Sequence, residues 1–506
     1  MAENKSQSNK VLHPFLFAIY PVTALLAFNA EITKLSATVR PLLLSIVGAI
    51  ILLLIGKVFL KDWHAAGLFT TFALVLFFSY GHIYNELENV QIADIAIGRH
   101  RYWIPLWIVL FIIGVWWVRK ANWNYEALTK ILNIVFVFAL IFPLFQIGQY
   151  KFWSFQVQSH VDEVDIPTSY EFSGNGPPPD IYYIILDGYA RDDILSRFYE
   201  LDNSDFLSRL NQLGFSIAYC SQSNYAQTQL SIASSLNSDY LENLNDRYKV
   251  GNTSRLGLPE LIKHSSVRQI FENLGYITIA FDSGYDATRL EDADIYYSPE
   301  IVSDINDFED LFIRTTFARV LLEGIAFLSI PPNWEARDQA HRERILFTLD
   351  KLKEVPDIDG PKLVFAHIIS PHWPHVFGPN GEPVHEHPDS VSGYKNQVVF
   401  ISDQIETVLE EIIDNSKVHP IIIVQGDHGS VIESPQRRMS ILNVYFLPDD
   451  GDNLLYEGIS PVNSFRLILN KYFGGHFTIL EDFSYYSNYE DPYNYELIQN
   501  KRNGCP

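Results

Sequence analysis

Apolar residues come in long unbroken runs at the start of this chain and in short runs afterwards. Residues 11–28, 41–60, 65–84, 103–118 and 131–147 are predominantly apolar, and each approaches the length of about 20 residues that an α-helix needs to cross a hydrocarbon core. The pattern predicts a transmembrane domain of five helices over residues 1–151. Run 11–28 has no small-residue cleavage site and more spans follow it, which predicts a retained span and not a cleaved signal. Trp103, Trp107, Trp116, Trp117, Trp123 and Trp153 fall near span ends, where interfacial aromatics gather.

Residues 156–179 turn polar, then acidic, and close on Gly174-Asn175-Gly176-Pro177-Pro178-Pro179. Such a stretch predicts that no helix continues and that 152–179 is a linker. From residue 180 onward, short β-branched and aromatic runs alternate with stretches of helical spacing. Strands are predicted at 180–186, 215–219, 276–281, 362–369 and 420–425. Helices are predicted at 204–213, from near Thr228 to 236, at 259–274, between 307 and 328, at 337–353, and along Tyr394, Val398, Ile401, Ile405, Val408 and Ile412. This alternation predicts an α/β domain over 180–506, a mostly parallel sheet flanked by helices. Ile421, Ile422, Ile423 and Val424 read as a strand buried on both faces. The tyrosine-rich tail 484–495 is expected to pack on its own domain.

Charge sharpens the division. Residues 1–151 hold 12 Lys and Arg against 7 Asp and Glu, and the remainder holds 25 against 53. So acidic a second part is unsuited to gripping nucleic acid, which needs clustered Lys and Arg. Five spans put the two ends on opposite sides of a membrane. With a cytoplasmic amino terminus, Lys5, Lys10, Lys57, Lys61, Arg119, Lys120 and Lys130 lie inside, against Lys34, Arg40, Arg99, Arg101 and Lys151 outside. That balance favours a cell-membrane protein whose second part is extracytoplasmic. Cys220 and Cys505 are the only cysteines; they exclude a disulfide framework or a Cys-rich zinc site and are read as two unpaired thiols.

The candidate chemistry sits where strands stop. Asp187 follows the first strand, His372 and His375 follow 362–369, and Asp427 with His428 follows 420–425. Parallel strands gather such ends along one sheet edge, where open α/β sheets bind ligands. The loop bearing Thr228 also follows a strand, and a helix start there favours an anion. Asp, Asp and His suit a divalent metal such as zinc or manganese, and a metal-bound threonine hydroxyl becomes a nucleophile near neutral pH. Each residue also has a plainer reading: Asp187 as a turn cap with Gly188, Thr228 as a helix N-cap, and the His-Trp-Pro-His segment as a structural loop.

The Asp-Gly ending, the Asn-Tyr-x-x-Thr loop at 224–228 and Gly-Asp-His-Gly at 426–429 resemble the alkaline phosphatase superfamily in its sulfatase-like membrane branch. The plan of five spans and an external catalytic domain is similar to lipoteichoic acid synthases and phosphoethanolamine transferases. The resemblance implies an alkaline-phosphatase-like fold in which Asp187, Thr228, Asp427 and His428 hold one metal. It also implies that Thr228 becomes covalently modified. His367, His372 and His375 match a His-rich segment that in relatives binds substrate or a second metal. Two departures stand out. Those two families commonly present Glu where this chain has Asp187, and the Cys220-Ser221-Gln222-Ser223-Asn224 stretch lacks the Pro and Arg of the formylglycine context in sulfatases proper. The expectation is a membrane-anchored phosphotransferase or phosphodiesterase acting on a lipid or glycan phosphate ester. A sulfuric ester hydrolase using Thr228, or a non-catalytic membrane scaffold, remain alternatives.

Overall fold

The computed structural model describes all residues except 1–9, 31–32, 89, 93–94, 97, 121–122, 163–169, 175, 301–305, 323–333, 385–389, 431–433, 503 and 506. Contacts divide the chain into two compact units, Met1–Phe152 with Ser303–Arg337, and Trp153–Val302 with Asp338–Pro506.

In the first unit five apolar helices succeed one another: α1 (His13–Phe28), α2 (Val39–Leu60), α3 (Trp63–Leu87), α4 (His100–Lys120) and α5 (Tyr125–Asp162). By length and composition the last four can cross a membrane, whereas α1 has 16 residues and rises only about 24 Å. Helix α2 shows how this bundle inverts the soluble pattern. Its inward face is Pro41, Ser45, Ala49, Leu53 and Gly56, while Leu43, Leu44, Val47, Ile51, Leu54 and Val58 point outward and are exposed. Small residues let helices approach, and large apolar ones meet lipid. A Cβ at Gly56 would press on Phe69 and Ala66 of α3.

Two features depart from the pattern read in the sequence. Helix α5 runs to Asp162 and so enters the stretch expected to be linker; polarity does not stop a helix, and the first Pro after Pro143 is Pro167. The helix expected between 307 and 328 is Asp307–Arg314 and Arg319–Leu322 with a turn between them, and residues 323–328 of that expected span lie outside the described residues. Asn306 and Glu309 close a capping box at its start. Phe308 and Phe312 pack with Ala18, Val22, Leu74 and Phe78, so this segment belongs with the apolar helices although the division at residue 180 had assigned it to the second domain.

The second unit is built on seven strands: β1 (Ile181–Leu186), β2 (Ser216–Ile217), β3 (Ile277–Phe281), β4 (Ile295–Tyr297), β5 (Lys362–Ile368), β6 (Ile421–Gln425) and β7 (Asn443–Phe446). Their order is β2-β7-β6-β1-β5-β3-β4. The run from β6 to β4 is parallel, and β7 is antiparallel to both β6 and β2. Central β1 is buried throughout. Ile181, Tyr183 and Ile185 join one core with α8 (Thr228–Asn237) and Pro461–Tyr472. Tyr182, Ile184 and Leu186 join another with α6 (Asp192–Tyr199), α7 (Ser204–Gln212), Trp334–Glu354 and Ser390–Asn415. Helices on both faces leave the strand ends as the open edge of the sheet. The single helix expected at 259–274 is two, Leu258–Lys263 and Ser266–Asn273, because Ser265 adopts extended backbone and its side chain accepts from Arg268 N–H as an N-cap.

The cysteines are not unpaired. Cys220 and Cys505 form a disulfide across 285 residues, with Cα atoms 5.5 Å apart. The tail is bound along its length: Tyr485 N–H donates to Asn224 O, Gln227 Nε2 to Ser487 O and Asn488 O, and Asn500 Nδ2 to Cys220 O. The disulfide therefore closes a strap over the loop that leads to α8. Cys505→Ser is expected to lower stability by about 2–5 kcal/mol, read as the urea midpoint of near-UV circular dichroism; an unchanged midpoint would show that the tail's hydrogen bonds alone fix the strap.

Candidate metal centre

Strand register brings the predicted residues together. Leu186 pairs with Ile368 and Ile185 with both His367 and Gln425, so Asp187 and Asp427 emerge at one level of the sheet edge, with His367 inside its strand at the level of Ile185. Backbone bonds then tie the three strand ends: Asp187 N–H donates to Ile368 O at 2.9 Å, His372 N–H to Asp187 O at 3.0 Å, and Gly188 N–H to Asp427 Oδ1 at 3.0 Å. Gly188 has φ 74°, a left-handed turn that glycine adopts without strain. The other two glycines answer to space. A Cβ at Gly426 would meet Tyr189 O at 2.5 Å, and one at Gly429 would strike the Arg437 and Ser440 carbonyls. Gly-Asp-His-Gly is thus the sequence that lets a buried strand end touch its neighbours' backbones while presenting two ligating side chains.

Two overlapping sets of side-chain atoms lie within 4.8 Å of one another: Asp187, His372 and His428, and Asp187, His367 and Asp427. His367 Nε2 is 3.3 Å from Asp187 Oδ2, and His428 Nε2 is 3.6 Å from Asp187 Oδ1 and 3.4 Å from Asp427 Oδ2. Thr228, the first residue of α8, has its Oγ1 3.4 Å from His428 Nε2. Thr228 is not the N-cap. That position is Gln227, whose side chain makes no cap bond, so the helix start keeps unclaimed N–H groups. His375 joins neither set; it is buried, and a Cβ at Gly393 would meet its ring.

Charge states favour a cation. His428 Nδ1 lies 2.8 Å from Gly429 O and His372 Nδ1 2.7 Å from Trp373 O. A carbonyl only accepts, so each Nδ1 carries a proton, and in the neutral imidazole Nε2 keeps its lone pair. Burial, reinforced by the Arg438 guanidinium, pushes His428 down to about 4, which leaves it neutral. Burial opposes ionisation of Asp187, but the His372, His367 and His428 imidazoles outweigh it and hold the carboxyl below the usual range. Asp187 Oδ1, Asp427 Oδ2 and His367 Nε2 are buried without a hydrogen-bond partner. Two buried carboxylates and imidazoles with lone pairs turned inward form the donor set that a divalent metal requires.

Other members of the site had no signal in the sequence. Thr288 Oγ1 lies 2.9 Å from His367 Nδ1. Tyr394 donates to Gly188 O and accepts from Ala190 N–H. Gln397 donates to Pro371 O and His372 O and accepts from Val376 N–H, shaping the histidine loop. Asn224 of Asn-Tyr-x-x-Thr is structural: its side chain binds Ser460, Phe483 O and Val462 N–H.

A family model described as Sulfatase matches residues 179–463, more than half of the chain. No curated protein matches. Among solved structures, the C-terminal periplasmic domain of EcEptC from Escherichia coli in complex with Zn aligns at 12% identity and TM-score 0.44, covering 67% of this chain and 96% of that one. The integral membrane lipooligosaccharide phosphoethanolamine transferase A from Neisseria meningitidis aligns at 13% identity and TM-score 0.38, covering 91% and 93%. A 2-O GAG sulfatase, BT1596, aligns at 13% and 0.35, covering 56% and 68%. On the extent of the family match, this chain belongs to the Sulfatase family and is an enzyme of the alkaline phosphatase superfamily.

Proposed function

We propose that this membrane protein is a metal-dependent phosphotransferase or phosphodiesterase in which Thr228 is the nucleophile, acting on a lipid or glycan phosphate ester outside the cytoplasmic membrane. The observation that carries the reading is the approach of Thr228 Oγ1 to His428 Nε2 at 3.4 Å, beside two buried carboxylates, Asp187 and Asp427, each with one oxygen that lacks a hydrogen-bond partner among the described residues. In this reading Asp187, Asp427, His428 and Thr228 hold one cation, and His367 and His372 face the substrate or a second one. Zinc or manganese held there would supply Lewis acidity, lowering the pKa of a neighbouring hydroxyl and offsetting charge that develops at phosphorus.

The protein's own part is positioning. Thr228 Oγ1 gives up its proton as it attacks phosphorus, a new P–O bond forms as the ester P–O bond breaks, and the departing alcohol oxygen takes up a proton in exchange, through solvent. An acceptor hydroxyl, from water, glycan or lipid, then displaces threonine from phosphorus. The α8 N-terminus favours negative charge at the transferred group. The disulfide suits an oxidising compartment, in agreement with the Lys and Arg balance of the span ends.

Sulfate transfer through formylglycine has less support, since Cys220 is bonded to Cys505 and cannot be converted. The test compares bis(p-nitrophenyl) phosphate with p-nitrophenyl sulfate on the purified protein, followed by mass spectrometry of the peptide holding residue 228. Turnover of the diester is expected, with a p-nitrophenyl phosphoryl group of about 200 Da added at Thr228. Turnover of the sulfate alone would replace this reading with the sulfohydrolase.

A further inference from the structure

Arg438, in the helix Pro435–Met439, is a cation that the fold places beside the site and that has no ion-pair partner among the described residues. Its backbone carbonyl accepts from Gly429 N–H at 2.6 Å, which fixes it to the Asp427-His428 turn. Its Nε donates to Ala226 O at 2.7 Å, two residues before Thr228. Next to it, Met439 O accepts from Ser223 N–H and Ser440 O from Arg191 N–H. The side chain therefore spans the gap between the turn carrying the candidate ligands and the loop carrying the candidate nucleophile.

Several other guanidiniums of this unit have side-chain or carbonyl acceptors, whereas neighbouring Arg437 lies over the Phe198 ring. Arg191 binds Asp193, Arg255 binds Gln227 and Tyr489 O, Arg268 binds Glu272 and Asp292, and Arg289 and Arg344 face Asp282. For Arg438, among the described residues, no carboxylate lies within ion-pair distance, and its one side-chain hydrogen bond uses Nε. Among the described residues neither Nη group has a hydrogen-bond partner. Burial pulls its pKa down although Asp427 and Asp187 act to raise it. A half-buried guanidinium without a counter-charge is costly, and the cost is relieved when an anion arrives with it.

We propose that Arg438 is a substrate-binding residue whose Nη groups grip the non-bridging oxygens of the tetrahedral anion transferred at Thr228, together with the N–H groups that start α8. The proposal rests on the reading of Thr228 as the site of transfer. It requires a phosphoryl or similar oxyanion with two accessible oxygens, which a planar guanidinium binds as a fork.

The experiment uses the full chain in detergent, with inorganic phosphate as the probe. Calorimetric titration is done on Thr228→Ala, which leaves Arg438 in place, and on Thr228→Ala combined with Arg438→Gln or Arg438→Lys. Turnover of bis(p-nitrophenyl) phosphate is measured for the single variants. Arg438→Gln is expected to weaken phosphate binding and to lower kcat/KM by about 30-fold each, the scale of a lost charge-assisted hydrogen bond. Arg438→Lys is expected to recover a large part of both, because the charge rather than the tie to Ala226 is what the substrate uses. Phosphate binding unchanged in Arg438→Gln, or equal loss in Gln and Lys variants with the same melting temperature, would overturn the proposal. Should Thr228→Ala turn over normally while Arg438→Gln loses phosphate, the anion site stands and the nucleophile must be sought elsewhere.

Discussion

Thr228→Ala is expected to lower kcat for a phosphodiester by about 10^4-fold or more, the scale on which removal of a nucleophile acts in enzymes that form covalent intermediates. The same change is expected to leave the melting temperature almost unaltered. Thr228 is the first helical residue and not the N-cap, and its hydroxyl has one close polar neighbour, His428 Nε2 at 3.4 Å. Alanine is the better helix former, so the backbone loses nothing. A residue used only for folding would show the reverse, a lower melting temperature with turnover following the folded fraction. Thr228→Ser restores a hydroxyl at the same atom and is expected to regain most of the rate. Retention of wild-type turnover by Thr228→Ala would remove it from the chemistry.

Much of this site was legible because its chemistry follows strand ends. Ile421–Gln425 could be read as a doubly buried strand, and a parallel sheet obliges the residues just beyond β1, β5 and β6 to share an edge. Asp187, His372, Asp427 and His428 lie close together beyond those strands, and His367, inside β5, lies beside Asp187 and Asp427. His375 belongs to neither set, because it lies further along the loop, beyond Trp373 and Pro374, and a loop carries no register. β7 runs against its neighbour β6, which no local pattern of Asn443–Phe446 announces.

Partners contributed by remote segments were hidden. The bond between Cys220 and Cys505 depends on a tail that folds back across 285 residues, and two cysteines that far apart carry no spacing signal. Arg438 resembles any surface arginine in the sequence. Its meaning comes from the carbonyls of Ala226 and the amide of Gly429, both supplied by loops that only the assembled sheet brings near. The segment Asp307–Arg314 reads as an ordinary amphipathic helix, since nothing in its own spacing says that Phe308 and Phe312 will pack with Val22 and Phe78.

Chelation followed by gel filtration is expected to abolish turnover and to lower the melting temperature of the catalytic domain, with both restored by zinc or manganese. The Asp187 and Asp427 side chains are 6% and 0% exposed, carry oxygens within 4.8 Å of each other, and among the described residues have no Lys or Arg within ion-pair distance. Two such carboxylates repel when no cation lies between them, and burial strengthens the repulsion by several kcal/mol. The sign of a mutation should therefore depend on the metal. Asp427→Asn removes one negative charge and can keep its Oδ1 as acceptor for Gly188 N–H, so it is expected to raise the melting temperature of the chelated protein. In the metal-loaded protein the same change removes a ligand, and it is expected to lower both metal content and melting temperature. A purely structural Asp427 would destabilise under both conditions when replaced. Metal analysis with differential scanning calorimetry on the four preparations decides it: if chelation changes neither the melting temperature nor turnover, Asp187 and Asp427 are not held together by a cation.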